Sequence, residues 1–192
     1  MAKKMFFTLV LVLTSCFLIT VNAQNAFSKG DQVVNVGIGL GSYYGGDGYS
    51  SGFPPLSVSY EKGVVDGLLD GKATIGVGGY LGYSSNKWES SYMTYTYGYK
   101  YSYLVLGVRG VFHYQLIDKL DTYAGLMLGY NVVGGTYFGD DIPGYTPAAS
   151  STSGFGYSTF IGARYPITEK LTAFAELGYG VSALELGLSF GI

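Results

Sequence analysis

The sequence predicts an all-β fold: an eight-stranded antiparallel transmembrane β-barrel that follows an N-terminal signal peptide. In eight separate segments, apolar residues alternate with small or polar ones, which is the period of a strand whose two faces meet different environments. After residue 23, no apolar run is long enough for a spanning helix. A chain that crosses a membrane without helices must close into a barrel, because an open sheet edge leaves backbone groups unpaired in lipid.

Residues 1–23 have the organisation of a secretory signal peptide. Lys3 and Lys4 form a basic start, an apolar stretch follows, and small residues end the segment. An alternative is a membrane anchor, for which a stretch of about 17 residues lies at the lower limit. A second alternative is lipidation of Cys16, although the apolar stretch continues beyond it. Residues 24–192 are then predicted to form a single barrel domain.

The composition agrees with an exported membrane protein. The chain has 31 Gly and 20 Tyr, and only 12% of its residues are charged. Loss of the signal peptide would leave 9 basic and 13 acidic residues, a net charge of −4. This balance gives no basic patch and predicts no nucleic-acid partner. We find no phosphate loop, zinc spacing or dinucleotide motif, so no cofactor or metal is expected.

The first four strands are predicted at residues 32–44, 55–61, 72–83 and 99–115. Each has apolar side chains at alternate positions and mostly small or polar ones between them. The second is the shortest and has the weakest pattern. The outward-facing sets are Val34, Val36, Ile38 and Leu40; Leu56, Val58 and Tyr60; Ala73, Ile75, Val77, Leu81 and Tyr83; and Leu104, Leu106, Val108, Phe112 and Tyr114.

The last four strands are predicted at residues 120–132, 154–165, 171–179 and 183–192. We place the apolar sets outward because they carry no charged residue, whereas a soluble barrel would be charged outside. Tyr and Phe recur near both ends of these sets, as in the aromatic girdles at lipid headgroups. The outward sets are Ala124, Leu126, Leu128 and Tyr130; Phe155, Tyr157, Ile161 and Ala163; Ala173, Ala175, Leu177 and Tyr179; and Leu184, Leu186, Leu188, Phe190 and Ile192.

The connections alternate between compact and long segments. The compact ones contain Asp, Gly, Pro and Lys as turn formers, and the long ones are rich in Gly, Ser and Tyr. Short periplasmic turns and long external loops are typical of outer-membrane barrels. The compact segments are 61–71, 116–119 and 166–170, the long ones are 43–54, 84–98 and 134–153, and a tight external hairpin is expected near 180–182.

These features together resemble the small outer-membrane barrels of the OmpA/OmpX type, and the Gly- and Tyr-rich composition resembles barrel domains common in Bacteroidota. The resemblance covers nearly the whole mature chain. It implies a location in the outer membrane, contact with outer-membrane lipid, a monomer, and insertion by the barrel-assembly machinery. That machinery would recognise Leu188, Phe190 and Ile192, although such proteins often end on Phe and this one ends on Ile.

Four charged residues are predicted to face the barrel interior: Arg109, Arg164, Glu176 and Glu185, with His113 nearer the periplasmic end. The alternation of the last two strands about a turn near Val181 places Glu176 opposite Glu185. Two facing carboxylates need a cation between them, and the two arginines are available. We interpret this set as a structural ion-pair network. The alternative is a gate or a proton-sensitive site.

A tyrosine-rich segment in the second long connection is the best candidate for an interaction surface. If strands three and four extend beyond the membrane, these side chains would coat one face of a protruding hairpin. The register of strand four makes this the inward face, unless a bulge at Gly98 or Gly107 reverses it. Tyr is favoured in recognition surfaces; cross-strand packing and girdle anchoring are the alternative. The residues are Tyr92, Tyr95, Tyr97, Tyr99, Tyr101 and Tyr103.

The sequence therefore favours a structural or surface-interaction role, with an external protein or glycan as the possible partner. A narrow porin or transporter is the alternative, although eight strands leave an interior that side chains can fill. A lipid-acting enzyme is a second alternative, and we expect no enzyme because the single histidine, His113, lies far from the external rim. Asp140 and Asp141 are solvated loop carboxylates or, alternatively, a weak calcium contact.

Overall fold

The computed structural model is a closed barrel of antiparallel strands, as the alternation predicts. It describes residues 27–42, 49–92, 94–140, 152–179 and 181–192. Within these ranges, eight strands pair in sequence order and the last pairs with the first. The strands are β1 (Gln32–Ser42), β2 (Tyr49–Gly67), β3 (Ala73–Tyr92), β4 (Tyr95–Ile117), β5 (Leu120–Gly139), β6 (Gly154–Pro166), β7 (Leu171–Tyr179) and β8 (Ser182–Gly191).

The C-terminal strand closes the barrel. β8 pairs with β1 from Val33 opposite Gly191 to Ser42 opposite Ser182. On its other side, β8 pairs with β7 in the predicted register, with Glu176 opposite Glu185. No sheet edge remains along this seam, so its backbone N–H and C=O groups are hydrogen-bonded within the barrel, as lipid requires.

The two faces of the wall separate as predicted. Apolar side chains on the outer face are exposed, for example Val108 at 65% and Leu128 at 67%. Large aromatic side chains at the alternate, inward positions are buried: Tyr80, Tyr123, Phe160 and Phe174. An exposed apolar exterior around a filled interior is suited to contact with lipid acyl chains. Within the described part of the chain, no helix is long and apolar enough to cross a membrane.

The two ends of the barrel differ. We call the end with the short connections the turn end and the opposite one the loop end. At the turn end, a four-residue turn labelled α1 (Leu68–Gly71) joins β2 to β3. Leu69 and Asp70 have left-handed backbone angles, φ 49° and 59°, so this connection is a strained turn rather than a regular helix.

Three strands are much longer than predicted, which corrects the second and third long connections. β3, β4 and β5 contain 20, 23 and 20 residues, whereas about 9–11 suffice to span a membrane. The predicted loop at residues 84–98 is therefore mostly strand. Gly and Ser suggested a loop there, but cross-strand pairing continues without a bulge from Ala73 opposite Tyr114 to Tyr92 opposite Tyr95.

The prediction for β2 is also wrong in length. β2 has 19 residues rather than the seven predicted at 55–61. It includes half of the long connection predicted at 43–54 and most of the turn predicted at 61–71. Three register shifts interrupt its pairing with β3, on either side of Phe53 and beyond Gly63. Each shift breaks the strict alternation on which the prediction depended. The signal peptide, Cys16 and Asp141 lie outside the described residues.

Candidate functional site

One candidate site is a set of charged side chains in the middle of the barrel, the central cluster of Arg109, Glu176 and Glu185. Arg109 Nη2 lies 2.6 Å from Glu176 Oε2. Glu185 pairs across the strands with Glu176, yet it accepts hydrogen bonds from Ser57 and, at 3.4 Å, from Tyr80. Each carboxylate therefore has its own donors, which lowers the repulsion between the two.

Aromatic rings enclose the central cluster. The Cζ atom of Arg109 lies 3.9 Å from the centroid of the Phe160 ring and 5.6 Å from that of Tyr80. The Tyr123 hydroxyl donates to Glu176 at 3.3 Å. Beside these groups is a cavity of about 20 Å³, which holds about one water molecule. The central cluster thus fills the barrel cross-section rather than lining a channel.

A second group of charges lies nearer the turn end, the turn-end cluster of Glu61, His113, Asp121 and Arg164. Arg164 Nη2 lies 2.6 Å from Glu61 Oε2, and its Nη1 lies 3.6 Å from Asp121 Oδ2. His113 bridges the two acids, with Nε2 at 2.5 Å from Glu61 Oε1 and Nδ1 at 2.9 Å from Asp121. Every member is at least nine-tenths buried.

The predicted interior network is thus divided between two clusters. Arg109, Glu176 and Glu185 come together, but Arg164 does not act as the second counter-ion of the facing glutamates. It contacts Glu61 instead, because its inward position on β6 lies opposite the turn-end part of β5, at Asp121.

Glu61 and Asp121 were missed as network members, although the alternation contained the signal for both. Glu61 continues the inward series of Ser57 and Ser59, and Asp121 precedes the inward Tyr123 by two positions. Both lie at the ends of predicted strands, and the prediction does not extend the inward face that far. A buried Arg and a buried His so close together require acids nearby, and these two residues were the available ones.

The second candidate site is the protruding sheet. We define it as the parts of β2–β5 that lie on the loop-end side of four paired residues, Leu56, Tyr83, Leu104 and Val132. On the outer face, apolar side chains give way there to Lys87 and Glu89 of β3. The nine residues of β3 beyond Tyr83 amount to roughly 30 Å of strand. A face that changes from aliphatic to charged has left the lipid.

The inner-parity face of the protruding sheet carries clustered aromatic side chains, which we call the aromatic face. Trp88 and Tyr99 lie opposite each other across β3 and β4, with ring centroids 6.3 Å apart and nearly parallel. Tyr99 also lies 5.5 Å from Tyr137 in an edge-on arrangement. The members of the aromatic face are Tyr49, Trp88, Tyr97, Tyr99, Tyr101 and Tyr137.

Sequence reasoning identified part of this surface. Tyr95, Tyr97, Tyr99, Tyr101 and Tyr103 are all half-buried and share the inner parity, with no reversal at Gly98 or Gly107. Trp88, Tyr49 and Tyr137 were missed because their strands were predicted to be loops at those positions. The side chain of Tyr92 lies outside the described part of the structure.

The outer face of the protruding sheet is polar instead. Lys87 Nζ lies 2.6 Å from Glu89 Oε2 and 4.5 Å from the centroid of the Phe138 ring. Lys87 also lies opposite Lys100 across β3 and β4. The two faces of one sheet therefore offer different surfaces, one aromatic and one charged.

The remaining predicted residues have structural surroundings. The Asp140 carboxylate accepts a hydrogen bond from the Thr96 backbone N–H at 2.8 Å, so it joins β4 to the end of β5. Among the described residues, no group of three or more His, Cys, Asp or Glu is placed to hold a metal ion. Leu188, Phe190 and Ile192 all lie on the exposed outer face of the C-terminal end, at 39%, 42% and 70% exposure.

Comparison with known proteins found no matching family model and no matching curated protein sequence. Among solved structures, the chain is similar to Ail, the attachment invasion locus protein of Yersinia pestis, in complex with the heparin analogue sucrose octasulfate. That match has 13% identity and a TM-score of 0.49, covering 85% of this chain and 95% of that one. A second Ail structure matches with 9% identity, a TM-score of 0.45 and the same coverage.

Proposed function

We propose that the chain is an integral outer-membrane barrel with a surface-interaction role, and that the aromatic face of the protruding sheet binds an external protein or glycan. The observation that carries this proposal is the placement of stacked Trp and Tyr rings on strands that continue beyond the lipid-facing band. About 9–11 residues of strand are enough to span a bilayer. The additional length of these strands, and the rings that it carries, are therefore not needed to cross the membrane.

The chemistry of the aromatic face supports recognition. Tyr and Trp combine a large flat apolar surface with a polar tip, and both are enriched where proteins bind partners. Contacts between the rings hold them in place, for example Tyr99 between Trp88 and Tyr101. A pre-ordered ring loses little conformational entropy on binding. Cross-strand packing alone would explain the contacts, so the experiment must separate binding from stability.

The test is adhesion of whole cells that display the full chain. We expect the triple variant Tyr97→Ser, Tyr99→Ser and Tyr101→Ser to reduce retention on immobilised glycans or host proteins by about ten-fold or more. The matched control is Lys100→Ser with Thr136→Ser, which changes the opposite face of the same sheet and should retain adhesion.

Folding is checked for each variant by gel mobility with and without boiling, since a folded barrel migrates differently from the denatured chain. If the triple variant folds and adheres like the unchanged protein, the aromatic face is not the binding surface. An equal loss in the control variant would also contradict the proposal, because the effect would not belong to one face.

The role we propose is neither enzymatic nor that of a porin. The central cluster and its rings occupy the interior, with a cavity of only about 20 Å³ beside them, which supports a barrel that does not conduct solutes. His113 is 2% exposed and lies at the turn end, which supports a structural role for it. A steady conductance in planar bilayers would favour the narrow porin instead.

Lipid, assembly and oligomeric state complete the proposal. The exposed apolar exterior supports a barrel surrounded by outer-membrane lipid, and we propose that it is a monomer. Leu188, Phe190 and Ile192 are the residues we propose as the signal for the barrel-assembly machinery. Replacing Phe190 and Ile192 by Ser should lower the amount of folded protein in the outer membrane, while refolding of the purified chain in detergent still proceeds.

A further inference from the structure

The chain enters the barrel through a tight turn at residues 27–31, which we call the N-terminal turn. The Asp31 N–H donates to the Ser28 carbonyl at 3.1 Å, and the Ser28 N–H donates to Asp31 Oδ2 at 2.8 Å. Gly30 has φ 96°, a conformation that favours glycine. The N-terminal turn is therefore a fixed element rather than a loose end.

Two backbone hydrogen bonds fasten the N-terminal turn to β2. The Gly30 N–H donates to the Gly63 carbonyl at 3.0 Å, and the Gly63 N–H donates to the Asp31 carbonyl at 3.0 Å. A Cβ atom at position 63 would lie 2.1 Å from the Ser28 carbonyl oxygen. A glycine at position 63 is thus required for this close approach.

The N-terminal turn directs Phe27 into the mouth of the barrel. The Phe27 ring is 7% exposed, and its centroid lies 4.4 Å from that of the His113 ring. The guanidinium carbon of Arg164 lies 5.7 Å from the same ring centroid. Thr74 Oγ1 donates a hydrogen bond to the Phe27 carbonyl at 3.0 Å, so both the ring and the backbone are held.

The space left beside Phe27 is a cavity of about 10 Å³ whose lining includes Thr74, His113, Gln115 and Asp121. That volume admits at most about one water molecule. Glu61 and His113 are each only 2% exposed, although they lie close to the open end of the barrel. Among the described residues, Phe27 is the apolar side chain that the N-terminal turn packs against this cluster.

We propose that the N-terminal turn is a stopper: Phe27 closes the turn end of the barrel and keeps water from the turn-end cluster. Excluding water strengthens the ion pair of Glu61 with Arg164 and the hydrogen bond of Glu61 with His113. The ring adds favourable contact with the Arg164 guanidinium. The assignment is independent of what the loop end of the molecule binds.

The test uses the reaction of diethyl pyrocarbonate with His113, the single histidine of the chain. The full chain is refolded in detergent micelles, where reagent reaches both ends of the barrel, and modification of the His113 peptide is followed by mass spectrometry. We expect slow modification of the unchanged protein and about ten-fold faster modification of Phe27→Ala. The matched control Phe155→Ala removes a ring that is 91% exposed and should leave the rate unchanged.

Two gentler variants keep the test decisive if Phe27→Ala does not fold. Thr74→Val removes the hydrogen bond to the Phe27 carbonyl and retains the side-chain shape. Gly63→Ala forces the Ser28 carbonyl away from β2. Each should accelerate modification of His113 to an intermediate degree, with the heat-dependent gel shift retained. Rates equal to that of the unchanged protein in the folded variants would overturn the stopper assignment.

Discussion

The two halves of strands β3, β4 and β5 place opposite chemistry on the same faces of one sheet. In the lipid half, the outer face is aliphatic, as at Leu128, and the inner face carries charge, as at Arg109. In the protruding half, the outer face carries Lys87 and Glu89, and the inner face carries rings such as that of Tyr99. The alternation continues unbroken while its chemical content inverts.

This inversion shows that the alternation follows from the geometry of a strand, whereas the types of residue on each face follow from what surrounds that face. Charges are placed inward where lipid lies outside, because an unpaired charge in lipid is costly. Beyond the membrane that constraint ends, so the outer face can be charged and the inner face can serve recognition. We infer that the level at which the content changes, near Tyr83 on β3, is the border of the lipid.

The largest effect should follow from breaking the turn-end cluster. Replacing Arg164 by Met removes the guanidinium that pairs with Glu61 and Asp121 and leaves these buried acids with the hydrogen bonds to His113 within the cluster. Removing one partner of a buried pair costs about 3–5 kcal/mol. We therefore expect a loss of this size in the free energy of unfolding, measured by urea titration of the barrel refolded in lipid vesicles.

The control for Arg164→Met is Lys170→Met, which removes an exposed cation at the same end of the barrel. Its effect should be small. If both variants are equally stable, the turn-end cluster does not support the barrel, and a functional role for its charges would have to be tested.

A new charge on the outer face tests the border between the two halves directly. Leu128 and Thr136 lie on β5, with the same parity and both exposed. Leu128→Arg should destabilise the barrel by about 2–4 kcal/mol, because it places a charge near the bilayer centre. Thr136→Arg should change stability by less than about 0.5 kcal/mol, as expected at a solvated surface. Equal losses would mean that the protruding half also lies in lipid.

The sequence was sufficient for the barrel because each feature of its wall repeats in every strand. Eight alternating segments and their apolar outward sets follow from parity, and the register of Glu176 against Glu185 follows from parity together with the turn near Val181. The lengths of β2–β5 did not follow, because parity stays regular whether a strand lies in lipid or in water. Gly and Ser near Ser84 and Gly134 resembled loops, and only pairing with neighbours shows that they are strands.

The sites were harder to predict because they depend on which strands adjoin. Parity placed Arg109 and Arg164 inside, but not in separate clusters along the barrel axis. That division depends on the stagger between strands, which places Arg164 beside Asp121. Phe27 precedes the first strand and has no alternation to report its inward position, so the closure of the turn end could be seen only in three dimensions.

A smaller effect is expected for the rings of the aromatic face. Tyr99 contacts Trp88, Tyr101 and Tyr137, and each such pair contributes about 0.5–1.5 kcal/mol. Contributions of neighbouring contacts do not add, and Tyr99 is only half-buried, so Tyr99→Ser should destabilise the protruding sheet by about 1–2 kcal/mol, less than the sum over three pairs. Amide hydrogen exchange should quicken in the protruding parts of β3 and β4 and remain slow in β1. Faster exchange throughout the barrel would mean that the two halves unfold together.

The smallest effect should come from the exposed ion pair, and it gives the closest comparison of the two halves. Lys87–Glu89 and Arg109–Glu176 have the same N–O distance of 2.6 Å, but the carboxylate side chains are 47% and 12% exposed. Glu89→Gln should cost less than about 0.5 kcal/mol, because water and salt screen the exposed pair. Glu176→Gln weakens a hydrogen bond to a largely buried guanidinium and should cost about 1–3 kcal/mol. If urea titration gives the same small loss for both variants, the barrel interior is as well hydrated as the protruding surface. The two halves would then differ in their side chains but not in the strength of their ion pairs.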